Sequence, residues 1–251
     1  MAAGRWSGYE RMAAHVAPAA ERVAQLLGWG QKRTVLDIGT GSGAVLAPAA
    51  RLGWSPTGLD LAADQLGDAR EAHPAVSFVR GDAQRLPFAD ESFDAAASNF
   101  GIIFAPDLPA ALRESARVLR RNGHLVLSAW SPGGWPDPCR RILGAAPESS
   151  FPTELGDPAR LERPIIDAGF RVESWLAARL EWRFRDVEDA VDTLTTAAGG
   201  LRVLREKVEP TDRWPEVRDA LRAEIAGRMT PTDGGDHRIW DDYLVVTASR
   251  C

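Results

Sequence analysis

The segment Val35-Leu36-Asp37-Ile38-Gly39-Thr40-Gly41-Ser42-Gly43-Ala44 constrains this chain more than any other. It is a short β-prone apolar run ending in three glycines spaced two apart. Glycine can turn the backbone sharply there and lets it approach a neighbour that a Cβ would block. Beyond this turn, helical and strand patterns alternate. Residues 44–52 have helical spacing, 56–61 read as a second strand, 63–72 as a helix, and 76–80 and 93–99 as further strands. An amphipathic helix at 108–120 and a fifth strand at 124–130, opened by Arg121-Asn122-Gly123, complete the series. Strands separated by helices are joined by right-handed crossovers, so the expectation is an α/β fold with a mostly parallel sheet and helices on both faces. In such sheets ligands bind beyond the carboxyl ends of the strands, where this glycine turn sits.

The flanking regions extend that core. Residues 9–27 carry Met12, Val16, Ala20, Val23 and Leu27 at helical spacing, and Gly28 and Gly30 stop the run. Residues 131–138 hold three prolines and two glycines and read as a loop, as do 147–158. After them come a helix at 159–168, a long strand at 170–184, two or three helices over 186–229 and a closing strand at 239–249. Neither a long repeat nor a dividing linker is evident, so the 251 residues read as a single domain. Hydrophobic residues at 45% allow a sizeable core, and a net charge of −5 gives no global electrostatic reason to approach nucleic acid or an anionic membrane. The two cysteines, Cys139 and Cys251, exclude a disulfide framework or a cysteine-based metal cluster and point to a reducing compartment. No apolar run approaches the roughly 18 residues of a membrane span, and the start lacks a signal-like segment, so a cytoplasmic protein is expected.

Two cofactor classes compete for the glycine turn. Gly39, Gly41 and Ala44 fit a dinucleotide fingerprint, and Asp60, 21 residues after Gly39, stands where a ribose-binding acid would. Asp37 separates the two. A carboxylate at the end of the first strand would face a dinucleotide's pyrophosphate, and like charges about 4 Å apart repel by roughly 4 kcal/mol at an effective dielectric of about 20. S-adenosylmethionine has no phosphate and carries a sulfonium and an ammonium, so the same acid would assist it.

The run Leu36-Asp37-Ile38-Gly39-Thr40-Gly41-Ser42-Gly43 resembles the first motif of the class I S-adenosylmethionine-dependent methyltransferases. Later segments fall in that family's order. They are Gly58-Leu59-Asp60-Leu61, Gly81-Asp82-Ala83-Gln84-Arg85-Leu86-Pro87-Phe88 and Arg117-Val118-Leu119-Arg120-Arg121-Asn122-Gly123-His124-Leu125. Ser92-Phe93-Asp94-Ala95 is similar to the subgroup of ubiquinone-type and small-molecule methyltransferases. The resemblance covers about residues 5–131 and weakly the final strand. It implies a Rossmann-like, seven-stranded sheet whose last strand is antiparallel, with S-adenosyl-L-methionine as cofactor and S-adenosyl-L-homocysteine as product. It further implies that Gly39, Gly41 and neighbouring Thr40 hold the methionine end, that Asp60 bonds the ribose, and that Asp82 and Ala83 meet the adenine with Leu61 packed on the ring. Asn99 and Phe100 would border methionine and acceptor, and Tyr9 and Gln65 complete the expected cofactor set. Asp60 could equally cap the helix next to it.

Asn99-Phe100-Gly101-Ile102 lacks the Pro-Pro-Tyr of family members that methylate amino groups of nucleobases or glutamine amides, and Ser98-Asn99 with Ala129-Trp130-Ser131 supply no metal-binding acids. The expected partner is a small-molecule acceptor methylated at oxygen, carbon or nitrogen. Within the domain, residues 1–30 and the insertion 186–237 would cap the cofactor edge as a lid over the core at 31–131, while 132–185 and 238–251 complete the sheet; an extra buttressing layer is the other reading of the insertion. Methyl transfer needs no obligatory base. His15 and His237 are the candidates should one exist, with a packed or solvated histidine as the alternative for each. His73 and His124 fall on the distal side of the sheet. Trp6, Trp130, Trp135, Trp214 and Trp240 could line an aromatic or hydrophobic acceptor pocket or simply pack. A non-methylating enzyme on the same pocket, such as a cyclase, and an NAD-dependent oxidoreductase are the competing functions.

Overall fold

In the computed structural model, which describes residues 10–144, 155–197 and 199–251, Val35, Leu36, Asp37 and Ile38 are all buried. A strand buries four successive side chains only when both of its faces are covered. One sheet contains β1 (Thr34–Ile38), β2 (Ser55–Asp60), β3 (Ser77–Arg80), β4 (Phe93–Asn99), β5 (Leu119–Trp130), β6 (Phe170–Phe184), β7 (Thr230–Pro231) and β8 (His237–Arg250). Its order is β3-β2-β1-β4-β5-β8-β6. The first five strands pair in parallel, and β8 runs antiparallel between β5 and β6. The two-residue β7 hydrogen-bonds to the start of β8 and adds an eighth strand to the expected seven. The fold is the expected Rossmann-like one.

The antiparallel β8 has a positional consequence. Its register sets Tyr243 opposite Trp130, the last residue of β5, and His237 opposite Phe184, the last of β6. The first half of β8 therefore extends past the carboxyl end of the parallel strands.

The helices are α1 (Glu10–Leu27), α2 (Leu46–Arg51), α3 (Ala63–Ala72), α4 (Leu108–Val118), α5 (Pro136–Ile142), α6 (Pro158–Asp167), α7 (Val187–Ala197), α8 (Gly199–Val208) and α9 (Trp214–Arg228). α1 buries Met12, Val16, Ala20, Val23 and Leu27 and packs over β4, β5 and β6, continuing through Pro18. α7 packs on α1, α8 and α9, and α5 packs on α8 and α9. One expectation needs correction. Residues 131–138 are not all loop, because α5 opens at Pro136, in a first turn where a missing N–H removes no helical bond. The loop expected at 147–158 falls largely outside the described residues.

One polar network ties the segment after β3 to α4. Glu114 accepts from Leu86 N (2.7 Å) and from Arg117 Nε (2.7 Å), and Arg117 donates to the carbonyls of Phe88 (2.8 Å) and Leu86 (3.0 Å). The hydrogen bonds from Arg117 hold the Glu114 carboxyl below its ordinary range. Replacing Arg117 with Met strands a half-buried carboxylate and two carbonyls, so it is expected to lower unfolding free energy by about 2 kcal/mol, measured by urea denaturation.

Candidate functional site

At the carboxyl ends of β1, β2 and β4 the chain forms one cleft, and backbone geometry at the glycine turn shapes it. Gly39, Gly41 and Gly43 have φ of 72°, 53° and 89°, left-handed values that suit glycine. The N–H groups of Gly39 and Thr40 both donate to Leu59 O (2.8 and 2.9 Å), fastening the turn to β2. Asp60 fastens it again: one carboxylate oxygen accepts from Gly41 N and the other from Ala62 N, both at 2.9 Å. Asp60 thus anchors the turn and the entry to α3 together.

Asp37 is 1% exposed and receives one hydrogen bond, from Thr40 Oγ1 to Oδ2 at 2.6 Å. Its Oδ1 is buried with no partner among the described residues. Burial pushes the Asp37 carboxyl up to about 7, against the Thr40 bond and with a further push from the charge of Asp60. Burial also raises Asp60, opposed by backbone hydrogen bonds from Ala62, Gly41 and Leu61. Both carboxyls thus resist ionising, and a cation beside either would favour its charged form.

The end of β4 closes the other wall. Ser98 Oγ donates to Ile38 O (2.7 Å) and accepts from Ile102 N (2.9 Å). Phe100 takes φ +55°, unusual for an aromatic residue. Its N–H donates to Ser128 Oγ (2.9 Å), the Ser128 hydroxyl donates to Asn99 Oδ1 (3.0 Å), and its ring stacks on Trp130 at 3.7 Å and 4°. These contacts hold the strained residue in place. A Cβ on Gly101 would stand 2.6 Å from Ile38 O and 2.8 Å from Gly39 O, so the β1 and β4 ends meet backbone against backbone. On the far wall Asp82 Oδ1 accepts from Gln84 N (2.9 Å) and Nε2 (3.0 Å), and Gln84 Oε1 accepts from Asp107 N (2.9 Å).

The cleft gathers the expected cofactor residues from distant parts of the chain. Asp37, Gly39, Thr40 and Gly41 come from β1 and its turn, and Asp60, Leu61 and Gln65 from β2 and α3. Asp82 and Ala83 come after β3, and Asn99 and Phe100 end β4. Tyr9 and Trp6 lie outside the described residues. His15 and His237 do not line the cleft. His15 sits between the lining residues Ala13 and Val16 in sequence, but its ring packs on Trp182 and Phe184 (5.1 and 5.4 Å), where burial lowers its pKa against the charge of Asp189. His237 begins β8, with Nδ1 3.4 Å from Arg185 O. His73 is closer to the turn than expected, since its ring abuts Gly43.

Among the tryptophans, Trp130 and Trp135 join a buried aromatic cluster behind Phe100, Trp214 lies under the Arg205 guanidinium, and Trp240 is 42% exposed. No described residue of 186–237 lines the cleft. Sequence reasoning missed Gln84, Gly101, Ile102 and the α1 residues Ala13 and Val16 as lining residues. Gly101 had a usable signal, a glycine directly after a strand end, whereas Ala13 and Val16 read only as helix core.

A parallel sheet of this order, a glycine turn after β1 and an acid ending β2 together define the class I S-adenosylmethionine-dependent methyltransferase fold. Residues 36–127 match the family model described as a methyltransferase domain, and that segment belongs to the family. The cofactor of the class is S-adenosyl-L-methionine. Over 132 residues the chain is 36% identical to an uncharacterized protein of Mycobacterium tuberculosis, a match that covers 51% of this chain and 48% of that one. Over 131 residues it is 35% identical to malonyl-acyl-carrier-protein O-methyltransferase of Pectobacterium atrosepticum, covering 52% of each. The chain spans about half the length of these curated relatives. A Bacillus halodurans protein, described provisionally as a methyltransferase, shares the fold with a TM-score of 0.65 at 19% identity, over 92% of this chain and 98% of that one. Among the described residues, no helix is long and apolar enough to cross a membrane.

The cofactor fits the residues present, because the unpartnered Oδ1 of Asp37 is an acceptor waiting for a donor. Gly101→Ala is expected to destabilise the protein by about 1–3 kcal/mol, read by denaturation, because backbone must move to admit the methyl. A second outcome concerns pH. The folded-state pKa of Asp37, about 7, lies above its unfolded value of about 3.9. Folding therefore takes up a proton between those values, and stability falls as pH rises through that window. In Asp37→Asn, thermal melts from pH 4 to 8 without ligand are expected to show a shallower decline.

Proposed function

We propose that this chain transfers a methyl group from S-adenosylmethionine to a small-molecule acceptor, chiefly by positioning. One observation carries the reading: the glycine-turn cleft is lined by two carboxyls, Asp37 and Asp60, and Asp37 keeps a buried oxygen free. A pyrophosphate at the glycine turn would face Asp37, which disfavours the NAD-dependent alternative electrostatically. The cofactor, when bound, supplies a methyl already activated by its sulfonium. In this reading the free oxygen of Asp37 takes the ammonium, Asp60 adds the ribose hydroxyls to the backbone donors it holds, and Asp82, braced by Gln84, accepts from the adenine amine while Leu61 packs on the ring. Carboxylates have lone pairs enough for both duties.

Orienting acceptor and methyl in line contributes on the order of 7 to 11 kcal/mol. His15 is committed to Trp182 and Phe184 and His237 sits at the start of β8, so neither is assigned the role of base. The acceptor side lies by Ala13, Val16, Asn99 and Phe100, and the α7–α9 insertion supports it through α1 and α5.

Calorimetry is expected to show binding of S-adenosylhomocysteine, and no binding would overturn the proposal. Asp60→Ala is expected to weaken that binding about tenfold or more, since it removes a charged acceptor from ligand and turn alike. Label from methyl-labelled cofactor should appear in acceptor; label retained on the cofactor despite turnover would point to the non-methylating use of the same fold.

A further inference from the structure

Behind Phe100 lies a group of side chains that the cofactor cleft does not use. On one face of the antiparallel pair, β8 presents Ile239, Asp241 and Tyr243, and β6 presents Leu180, Trp182 and Phe184, all buried. Asp241 is 2% exposed, and neither of its oxygens has a hydrogen-bond partner among the described residues. Cross-strand from it is Leu180, and the diagonal neighbour Trp182 has its indole N–H buried and unpartnered, as has Trp135 at the start of α5, 5.5 Å away in ring centroids. Four unsatisfied polar atoms on three neighbouring side chains are far from ordinary, because buried polar groups are nearly always paired.

Among the described residues, Asp241 has no counter-ion of its own. Arg228 is the nearby cation, but its Nε pairs with Glu224 (2.7 Å) and its Nη1 donates to Gly133 O (3.3 Å). Asp137 and Asp242 are the other charges that act on it, and both are acidic. Burial, with those acids, pushes the Asp241 carboxyl up to about 8, against the pull of Arg228 and of the nearby Asp242 backbone N–H. The backbone at Gly134 lies directly against the carboxyl: a Cβ there would stand 2.1 Å from Asp241 Oδ1.

The cluster also connects to the cleft. Tyr243, two residues along β8, meets the ring of Phe100 edge-on at 5.6 Å, and Phe100 lines the cleft. Two residues of strand span about 7 Å, so Asp241 stands about that far along β8 from Tyr243, buried behind the cleft wall rather than lining it.

We propose that Asp241 is an acceptor-binding residue that holds a cationic amino group, remote from the transferred methyl, of an acceptor with an aromatic body. A carboxylate walled by tryptophans satisfies an ammonium through charge and ring faces together. The inference rests on the methyl-transfer reading of the cleft and names the substrate class for it.

The test measures binding of 2-phenylethylamine and tryptamine, against their neutral alcohol counterparts 2-phenylethanol and tryptophol, to protein saturated with S-adenosylhomocysteine. The amines are expected to bind on the order of tenfold or more tighter than the alcohols. In Asp241→Asn that preference should vanish while S-adenosylhomocysteine affinity stays unchanged, which also reports that the variant folds. Gly134→Ala, whose methyl displaces the carboxylate, should reduce the preference independently. Equal binding of amines and alcohols, no amine binding to protein that binds S-adenosylhomocysteine, or a preference surviving in Asp241→Asn would each overturn the proposal. Failure to bind S-adenosylhomocysteine at all would instead overturn the methyl-transfer reading beneath it.

Discussion

A carboxyl group buried in the central strand organises this molecule. Asp37 sits in β1 between two parallel neighbours, where burying an ionised group is costly unless it is paired. Thr40, in the glycine turn just after the strand, satisfies one oxygen, and the turn can fold back far enough only because Gly39 and Gly41 accept left-handed backbone. Asp37 lines the cleft, and its remaining oxygen has no partner among the described residues. The cost of that arrangement is borne by the folded protein.

The contact between Gly39 and Gly101 arises from the same requirement. Bringing the β1 turn against the β4 end leaves no space for a side chain at either position, and it forces the chain after β4 into the strained turn at Phe100. Ser98 and Ser128, hydroxyls buried in β4 and β5, hold that turn by accepting backbone N–H groups from Ile102 and Phe100. Small polar residues in otherwise apolar strands are the means by which the sheet supports the cleft.

A second level of organisation comes from β8. Because it runs antiparallel, its first residues project past the carboxyl ends of the parallel strands and set Asp241 and Tyr243 at that end of the sheet. The same strand reversal sets β6 beside it, so Trp182 joins Trp130 and Trp135 in one aromatic body behind Phe100. The insertion α7–α9 packs outside this body on α1 and α5.

Much of the core was legible in sequence because its determinants are local. Strand and helix periodicity placed β1 through β5, and the residue types at strand ends singled out Asp37 and Asp60, since a glycine turn and a terminal acid act where they stand, while Asp82 was singled out by the family resemblance. Pro136 misled because proline marks a loop and a helix's first turn equally well. The direction of side chains on α1 and β8 was another matter. His15 and Ala13 share a helix, yet only packing against β6 decides that the imidazole faces Trp182 while Ala13 faces the cleft. Asp241 read as one more acid in a closing strand, and its burial arises only when β6, the Gly134 backbone and α9 close around it. By itself, then, the sequence determined the order of elements and the acids beside the glycine turn, which depend on neighbours in the chain. The tertiary structure alone decided which side chains lie behind Phe100, because that depends on the antiparallel placement of a strand from the other end of the molecule.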